Sequence, residues 1–279
     1  MMKKYRPLLA APAALFLAAC AGLPDDAPAA PAAAPVVVTA PADLVAVTTG
    51  NQLVSFNHAS PGTLETAVEI SGLRSGESVV GIDFRPANGL LYGLGSSGEL
   101  YQLDLRSGAA TPKAALSTAL NGTSFGLSFN PVDGQLRVVS DAGQNLSVDA
   151  DSGVARADAP FDAAKASIVA AAYTTVPNGP FQTTLYVLNS NKAGEIDSAL
   201  APHSGKLLTV GALSAPIGKP AGFDISGNES SGVAYAATVA ADAAASTLYQ
   251  VKLGAGSTKS LGAIGAKDKV CGLAIKPGV

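Results

Sequence analysis

The sequence contains no tryptophan, only two histidines and only two cysteines among its 279 residues. Without indoles it lacks the platforms on which quinone cofactors stack, and at 5% aromatic residues it is poorly supplied for sugar stacking. His58, His203, Cys20 and Cys271 form no His-Glu-x-x-His or Cys-x-x-Cys pattern, so a metal centre of those kinds is excluded. Basic residues are scarce as well. The 18 Lys and Arg face 21 Asp and Glu, whereas a nucleic-acid partner requires a basic footprint. Charged residues make up 14% of the chain and hydrophobic ones 48%, which is ample for a large core.

What is present begins with an address. Lys3, Lys4 and Arg6 precede an apolar stretch, Leu8 to Leu17, and then Leu17-Ala18-Ala19-Cys20. A basic start, a short apolar core and small residues before a cut site are the marks of a secretory signal. The stretch is interrupted by Pro12 and is too short to cross about 30 Å of hydrocarbon as a helix. The Leu-Ala-Ala-Cys run resembles the bacterial lipobox, which implies cleavage before Cys20 and diacylation of its thiol. Residues 1–19 are thus expected to be a lipoprotein signal peptide. The mature chain would keep 15 bases against 21 acids, a net charge of −6. Residues 20–42 carry Pro24, Pro28, Pro31, Pro35 and Pro41 among alanines, and no Lys or Arg follows Cys20 until Arg74. Such a segment cannot bury a core and reads as an extended tether, at about 3.1 Å per residue. Ala21 after the Cys resembles the outer-membrane sorting pattern. If Cys20 is acylated, Cys271 has no disulfide partner. Within Val270-Cys271-Gly272-Leu273-Ala274-Ile275 it reads as a packed residue of a buried strand.

Residues 43–279 form the domain, and they repeat. Gly81-Ile82-Asp83-Phe84-Arg85-Pro86 returns as Gly126-Leu127-Ser128-Phe129-Asn130-Pro131 and as Gly272-Leu273-Ala274-Ile275-Lys276-Pro277. Weaker copies centre on Tyr173 and Ile225. The spacings from Phe84 through Phe129, Tyr173 and Ile225 to Ile275 are 45, 44, 52 and 50 residues. That is the blade length of a β-propeller, roughly 40 to 50 residues. Each phrase leads into a turn such as Asn88-Gly89 or Asp133-Gly134, and three further short strands follow. Residues 44–57 align without a gap on 91–104, so the domain opens at a second-type strand and ends on a lone first-type strand, Val270 to Lys276. Pairing the two closes the ring and removes two sheet edges. The expected fold is all-β, a β-propeller of five four-stranded blades with ring closure between the N-terminal strands and the C-terminal strand. A sixth blade would need a hidden repeat in the longer fourth or fifth unit. Asp162 to Lys165 could form a helical turn.

The phrases Gly81 to Gly89 with Leu91-Tyr92, and Phe129-Asn130-Pro131 with Leu136 to Leu146, resemble bacterial domain-of-unknown-function family 4394. Ala171-Ala172-Tyr173-Thr174, Thr184-Leu185-Tyr186 and Gly222-Phe223-Asp224-Ile225 continue the match in order. Ala201-Pro202-His203-Ser204-Gly205 departs from the Pro-Pro-Asn-x-Gly usual there. The resemblance implies an exported bacterial β-repeat architecture and no particular chemistry.

Among candidate residues, Gly122-Thr123-Ser124-Phe125-Gly126 fits G-x-S-x-G, but a nucleophile elbow must open a helix and this one precedes a strand. Asp149-Ala150-Asp151-Ser152-Gly153 reads as an Asx turn, since the bidentate Glu of a calcium loop is missing. His58 and His203 fall on third-to-fourth turns of different blades. Asp83 and Asp224 stand at equivalent positions inside apolar first strands, near the axis, where a carboxylate must be paired or solvated. They either accept hydrogen bonds from neighbouring loops or contribute to an axial cation or sugar site.

The function expected is that of a membrane-anchored envelope lipoprotein, in the outer membrane facing the periplasm or cell surface. It would be a non-catalytic binding or scaffold propeller for an unknown protein or small-molecule ligand. Its binding surface would come from Ser75–Ser78, Asn121–Ser124, Asp141–Asn145, Asn189–Lys192 and Lys267–Lys269. No cofactor and no nucleic acid are expected, and the membrane is reached only through the lipid on Cys20. The alternative is a Ca²⁺-dependent hydrolase, lactonase- or glycan-hydrolase-like, using Asp83 and Asp224 in the axial channel. The anchor is tested first. Cys20→Ser should abolish acylation and leave the precursor uncut, as read by acyl labelling and detergent partitioning. Normal maturation and detergent partitioning of that variant would contradict the lipobox.

Overall fold

A computed structural model describes residues 42–161, 166–175, 183–191, 194–199, 201–227 and 232–278. Cys20, the expected signal peptide and nearly all of the expected tether, together with the candidate helical turn at Asp162–Lys165, lie outside these residues. Five four-stranded antiparallel sheets are present. Blade one is β20 (Val270–Ile275), β1 (Leu44–Thr48), β2 (Gln52–Phe56) and β3 (Leu64–Glu69). Blade two is β4 (Val79–Arg85), β5 (Leu90–Gly95), β6 (Glu99–Leu103) and β7 (Ala110–Ala115). Blade three is β8 (Phe125–Phe129), β9 (Leu136–Ser140), β10 (Asn145–Val148) and β11 (Ala155–Ala157). Blade four is β12 (Ile168–Tyr173), β13 (Leu185–Asn189), β14 (Glu195–Ala199) and β15 (Leu208–Ala212). Blade five is β16 (Ala221–Ser226), β17 (Val233–Thr238), β18 (Thr247–Lys252) and β19 (Ser257–Ala263). The innermost strands β20, β4, β8, β12 and β16 touch in that order around an axis, and β16 returns to β20. The fold is a five-bladed β-propeller. The extra length of the fourth and fifth units lies in connections: eleven residues separate β12 from β13, and eight separate β17 from β18.

There is no single central core. Five apolar clusters sit one between each pair of adjacent blades. Side chains alternate across a strand, so each inner strand serves two clusters. In β1, Leu44 and Ala46 pack toward blade five while Val45 and Val47 pack toward blade two. Burial on both faces is why inner and second strands read as unbroken apolar runs rather than alternating ones. The fourth strands face outward and carry the polar residues. Pro112 and Lys113 in β7 and Glu65 and Glu69 in β3 blunt the exposed sheet edges.

The phrase that repeats in the sequence has a packing reason. Its glycines sit where inner strands approach one another at the axis. A Cβ on Gly126 would lie 2.5 Å from the backbone nitrogen of Ala171, and one on Gly222 would lie 2.6 Å from that of Leu273. Both contacts are with backbone, which cannot yield as a side-chain tip does.

Ring closure follows the register. Leu44 pairs with Ile275, Val45 with Ala274 and Ala46 with Leu273. The Lys276 N–H donates to the Asp43 carbonyl at 2.9 Å. Deleting residues from Val270 onward removes Val270, Cys271, Leu273 and Ala274, all buried, and uncovers the edge of β1. Each large apolar side chain lost contributes about 1.5–3 kcal/mol, against a total stability of about 5–15 kcal/mol. The truncated domain should therefore lose its cooperative thermal transition. A soluble, monomeric product with the parental melting temperature would contradict this closure.

Candidate functional site

The axis divides into three parts. At the end where the inner strands begin, a funnel of about 400 Å³ opens to solvent. At the other end lies a cavity of about 200 Å³. Between them, at the glycine waist, the free volume is about 10 Å³, at or below the minimum needed to hold one water.

The lower cavity holds both predicted axial residues. Asp83 Oδ1 accepts the Phe84 N–H and its Oδ2 accepts the Phe129 N–H of blade three, each at 2.7 Å. Asp224 Oδ1 accepts the Ile225 N–H and its Oδ2 accepts the Ile275 N–H of blade one, again at 2.7 Å. Ser128 Oγ accepts the Tyr173 N–H of blade four at 3.0 Å. These donors, Phe84, Phe129, Tyr173, Ile225 and Ile275, are the five repeat anchors themselves. They are the N–H groups of the innermost strands, where no further strand exists to accept them. Each is satisfied by the preceding blade where that blade offers Asp or Ser. Where it offers Ala274 or Ala172, the recipient's own Asp supplies a second oxygen. The partners are therefore backbone groups of inner strands, not loops as one sequence reading had it. Burial pushes the Asp224 carboxyl up to about 7. Burial, and then the neighbouring Asp224 charge, raise Asp83 well above the usual carboxylate range.

The funnel is built from the turns before the inner strands. Thr49, Ser78, Thr123, Ser124 and Lys219 line its polar part. Val79, Phe125, Val169, Ala221 and Cys271 are among the apolar residues beneath them. Asp141, in the turn after β9, organises one wall. It accepts the Thr123 N–H at 2.8 Å, the Thr123 hydroxyl at 2.7 Å, the Ser124 N–H at 3.2 Å and the Lys219 ammonium at 2.8 Å. Burial pushes Asp141 up, but Lys219 and these donors outweigh it and hold it at about 2. Ser124 is 6% exposed. Cys271 is buried, its thiol is pushed up to about 12, and Sγ donates to the Val79 carbonyl at 3.4 Å.

A family model described as Domain of unknown function (DUF4394) matches residues 52–274. The chain belongs to this family. No curated protein matches it. Among solved structures, the DUF4394 chain is similar to hydrazine synthase of Kuenenia stuttgartiensis, at 15% identity and a TM-score of 0.40, covering 72% of this chain and 52% of that one. It is similar to the Dos1 propeller at 12% identity and 0.41, covering 80% and 63%. It is also similar to a Bacteroides thetaiotaomicron protein of unknown function at 13% and 0.48, covering 77% and 55%. The chain thus spans about half to two thirds of each of these structures.

Other sequence candidates fall elsewhere. Asp149 forms an Asx turn, accepting the Asp151 and Ser152 N–H groups, and Asp151 pairs with Arg85 of blade two through both oxygens. His203 is exposed in the turn before β15. His58 is not a simple rim residue: its Nδ1 contacts Asp43, its N–H donates to Asp43 Oδ1 at 2.8 Å, and its ring lies 5.3 Å from that of Tyr235 in blade five. Of the expected surface segments, Ser78, Thr123 and Ser124 line the funnel and Asp141 backs it, whereas Lys267–Lys269 do not line it. Sequence reasoning missed Lys219. The signal was there: Lys219 lies six residues before Ile225, as Ser78 lies six before Phe84 and Thr123 six before Phe129. Lys192 lies outside the described residues.

The axial carboxylates bear on stability. Their folded pKa values lie above the unfolded Asp value of about 3.9, so the stabilisation from holding them protonated is fully present below that value. It is lost as pH rises through about 7, where Asp224 titrates. Groups held low, such as Asp141, act in the opposite sense and only at more acid pH. The melting temperature should therefore fall as pH rises from about 4.5 to 8. The slope should flatten in Asp83→Asn/Asp224→Asn, whatever its absolute stability. A wild-type melting temperature that rises or stays level over that range would overturn this account of the axis.

Proposed function

We propose that this chain is an exported, lipid-anchored envelope protein whose propeller binds a small molecule in the upper funnel without transforming it. The observation that carries this reading is the funnel itself. Its volume falls within the roughly 300–1,000 Å³ of small-molecule sites, and an apolar floor with a few convergent polar groups is what such sites present. The Ser124 side chain adds a hydroxyl to that lining. The chemistry needed for turnover has little support there. No histidine lines the funnel to take a proton from Ser124, Lys219 is held in an ion pair with Asp141, and the Cys271 thiol stays protonated. The hydrolase alternative is weaker still, because a Ca²⁺ ion at Asp83 and Asp224 would compete with four backbone N–H donors.

The chain enters the domain at Ala42 and Asp43, beside Ile275, at the end opposite the funnel. A lipid on Cys20 would tether the domain to a membrane, the outer one by the Ala21 pattern. The test fills the funnel. Ser78 lies half-buried on its wall, and Ser78→Trp should fold with a near-parental melting temperature. A fragment screen followed by protein NMR should give ligands that shift Phe125 and Val169 resonances in wild type and fail to do so in Ser78→Trp. Absence of such ligands, or their undiminished binding to the filled variant, would overturn the reading.

A further inference from the structure

Resting on the funnel as a binding site, we infer that its ligand is a small organic carboxylate with an apolar body, its charged head at Lys219. Three observations converge. Among the described residues, Lys219 is the single charged one lining the funnel, and no Asp or Glu lines it. Its ammonium has three donors and gives one to Asp141, leaving two for a ligand. Asp141 does not compete for those two from within the funnel. It is not among the lining residues, and three donors from Thr123 and Ser124 hold it in place besides Lys219. The ion pair also fixes the lysine's position, joining the segment before β16 to the turn of blade three, so little freedom is lost when an anion arrives. The hydroxyls of Ser78, Ser124 and Thr49 add donors around the same space. The floor beneath is hydrocarbon and a protonated thiol, with Val79, Phe125, Val169 and Ala221 almost fully buried. A cation would find no carboxylate among the described lining residues, and Asp141 is already paired with Lys219. A sugar would find no broad aromatic face and would set its hydroxyls against apolar side chains.

The test uses three probes of one shape: hexanoate, hexanamide and hexylamine. Binding is followed by chemical-shift titration of the full mature domain at pH 7 and low salt. Hexanoate should shift the Phe125 and Val169 resonances and bind at least about ten-fold tighter than hexanamide, as charge-assisted hydrogen bonds are stronger than neutral ones. Hexylamine should bind weakest. Lys219→Met should remove the hexanoate preference and leave hexanamide unchanged, and Lys219→Arg should retain it. Because Lys219 also ties two loops, Asp141→Asn serves as a second variant, loosening the same tie while leaving the cation in place. It should keep the preference for hexanoate. Equal or tighter binding of hexanamide or hexylamine in the funnel would overturn the carboxylate class while leaving the funnel as a binding site. Failure of all three probes to reach the funnel would also overturn the class. Whether the funnel binds anything is decided separately by the Ser78→Trp screen.

Discussion

The structure depends on how five backbone N–H groups are satisfied at the axis. A propeller's inner strands have a sheet neighbour on one edge only, so the N–H groups on the other edge, which here border the lower cavity, need another acceptor. An orphaned buried N–H costs about 1–3 kcal/mol, so five of them would erase a typical margin of stability. Three side chains, Asp83, Ser128 and Asp224, serve all five. A carboxylate has two oxygens and can serve two donors. That is why Asp stands in the two blades that follow alanine, and Ser is sufficient in the blade that follows Asp. The belt joins blade two to three, three to four and five to one through side chains, so it also sets how adjacent blades meet.

Close approach at the waist is the second condition, and it shapes the site. The glycines let inner strands converge until the axis is shut to water. Two chambers result rather than a channel. The lower one is lined by groups already engaged with backbone. The upper one has inner-strand side chains as its floor and draws its polar groups from the turns at its mouth. A rigid ring that presents loops at one end separates stability from recognition in this way.

The five inter-blade clusters explain why closure matters so much. Each blade is stabilised by two neighbours, and β20 takes part in two of the clusters while pairing with β1. The ends of the chain therefore meet inside one sheet. His58, Asp43 and Tyr235 add a polar clasp where blade one meets blade five, beside the point at which the chain enters the domain.

The sequence by itself determined the blade-length repeat, the order of strands within a blade and the pairing of the chain ends, and it favoured five blades over six. These follow from local pattern and from the spacing of Phe84, Phe129, Tyr173, Ile225 and Ile275, and a repeat is visible without coordinates. It also singled out Asp83 and Asp224, because a carboxylate in an apolar strand must have a reason. It could not say what that reason was. Their partners, Phe129 and Ile275, lie 46 and 51 residues away on adjacent blades. The funnel was legible only in part. Ser78 and Asn121–Ser124 belonged to turns already expected to face a partner, yet Lys219 went unnoticed. Its importance comes from reaching Asp141, 78 residues distant, across the mouth of the ring. Local periodicity writes the blades. Only closing them around an axis decides which turn residues share a cavity, because that sharing is a relation between blades and no single repeat contains it.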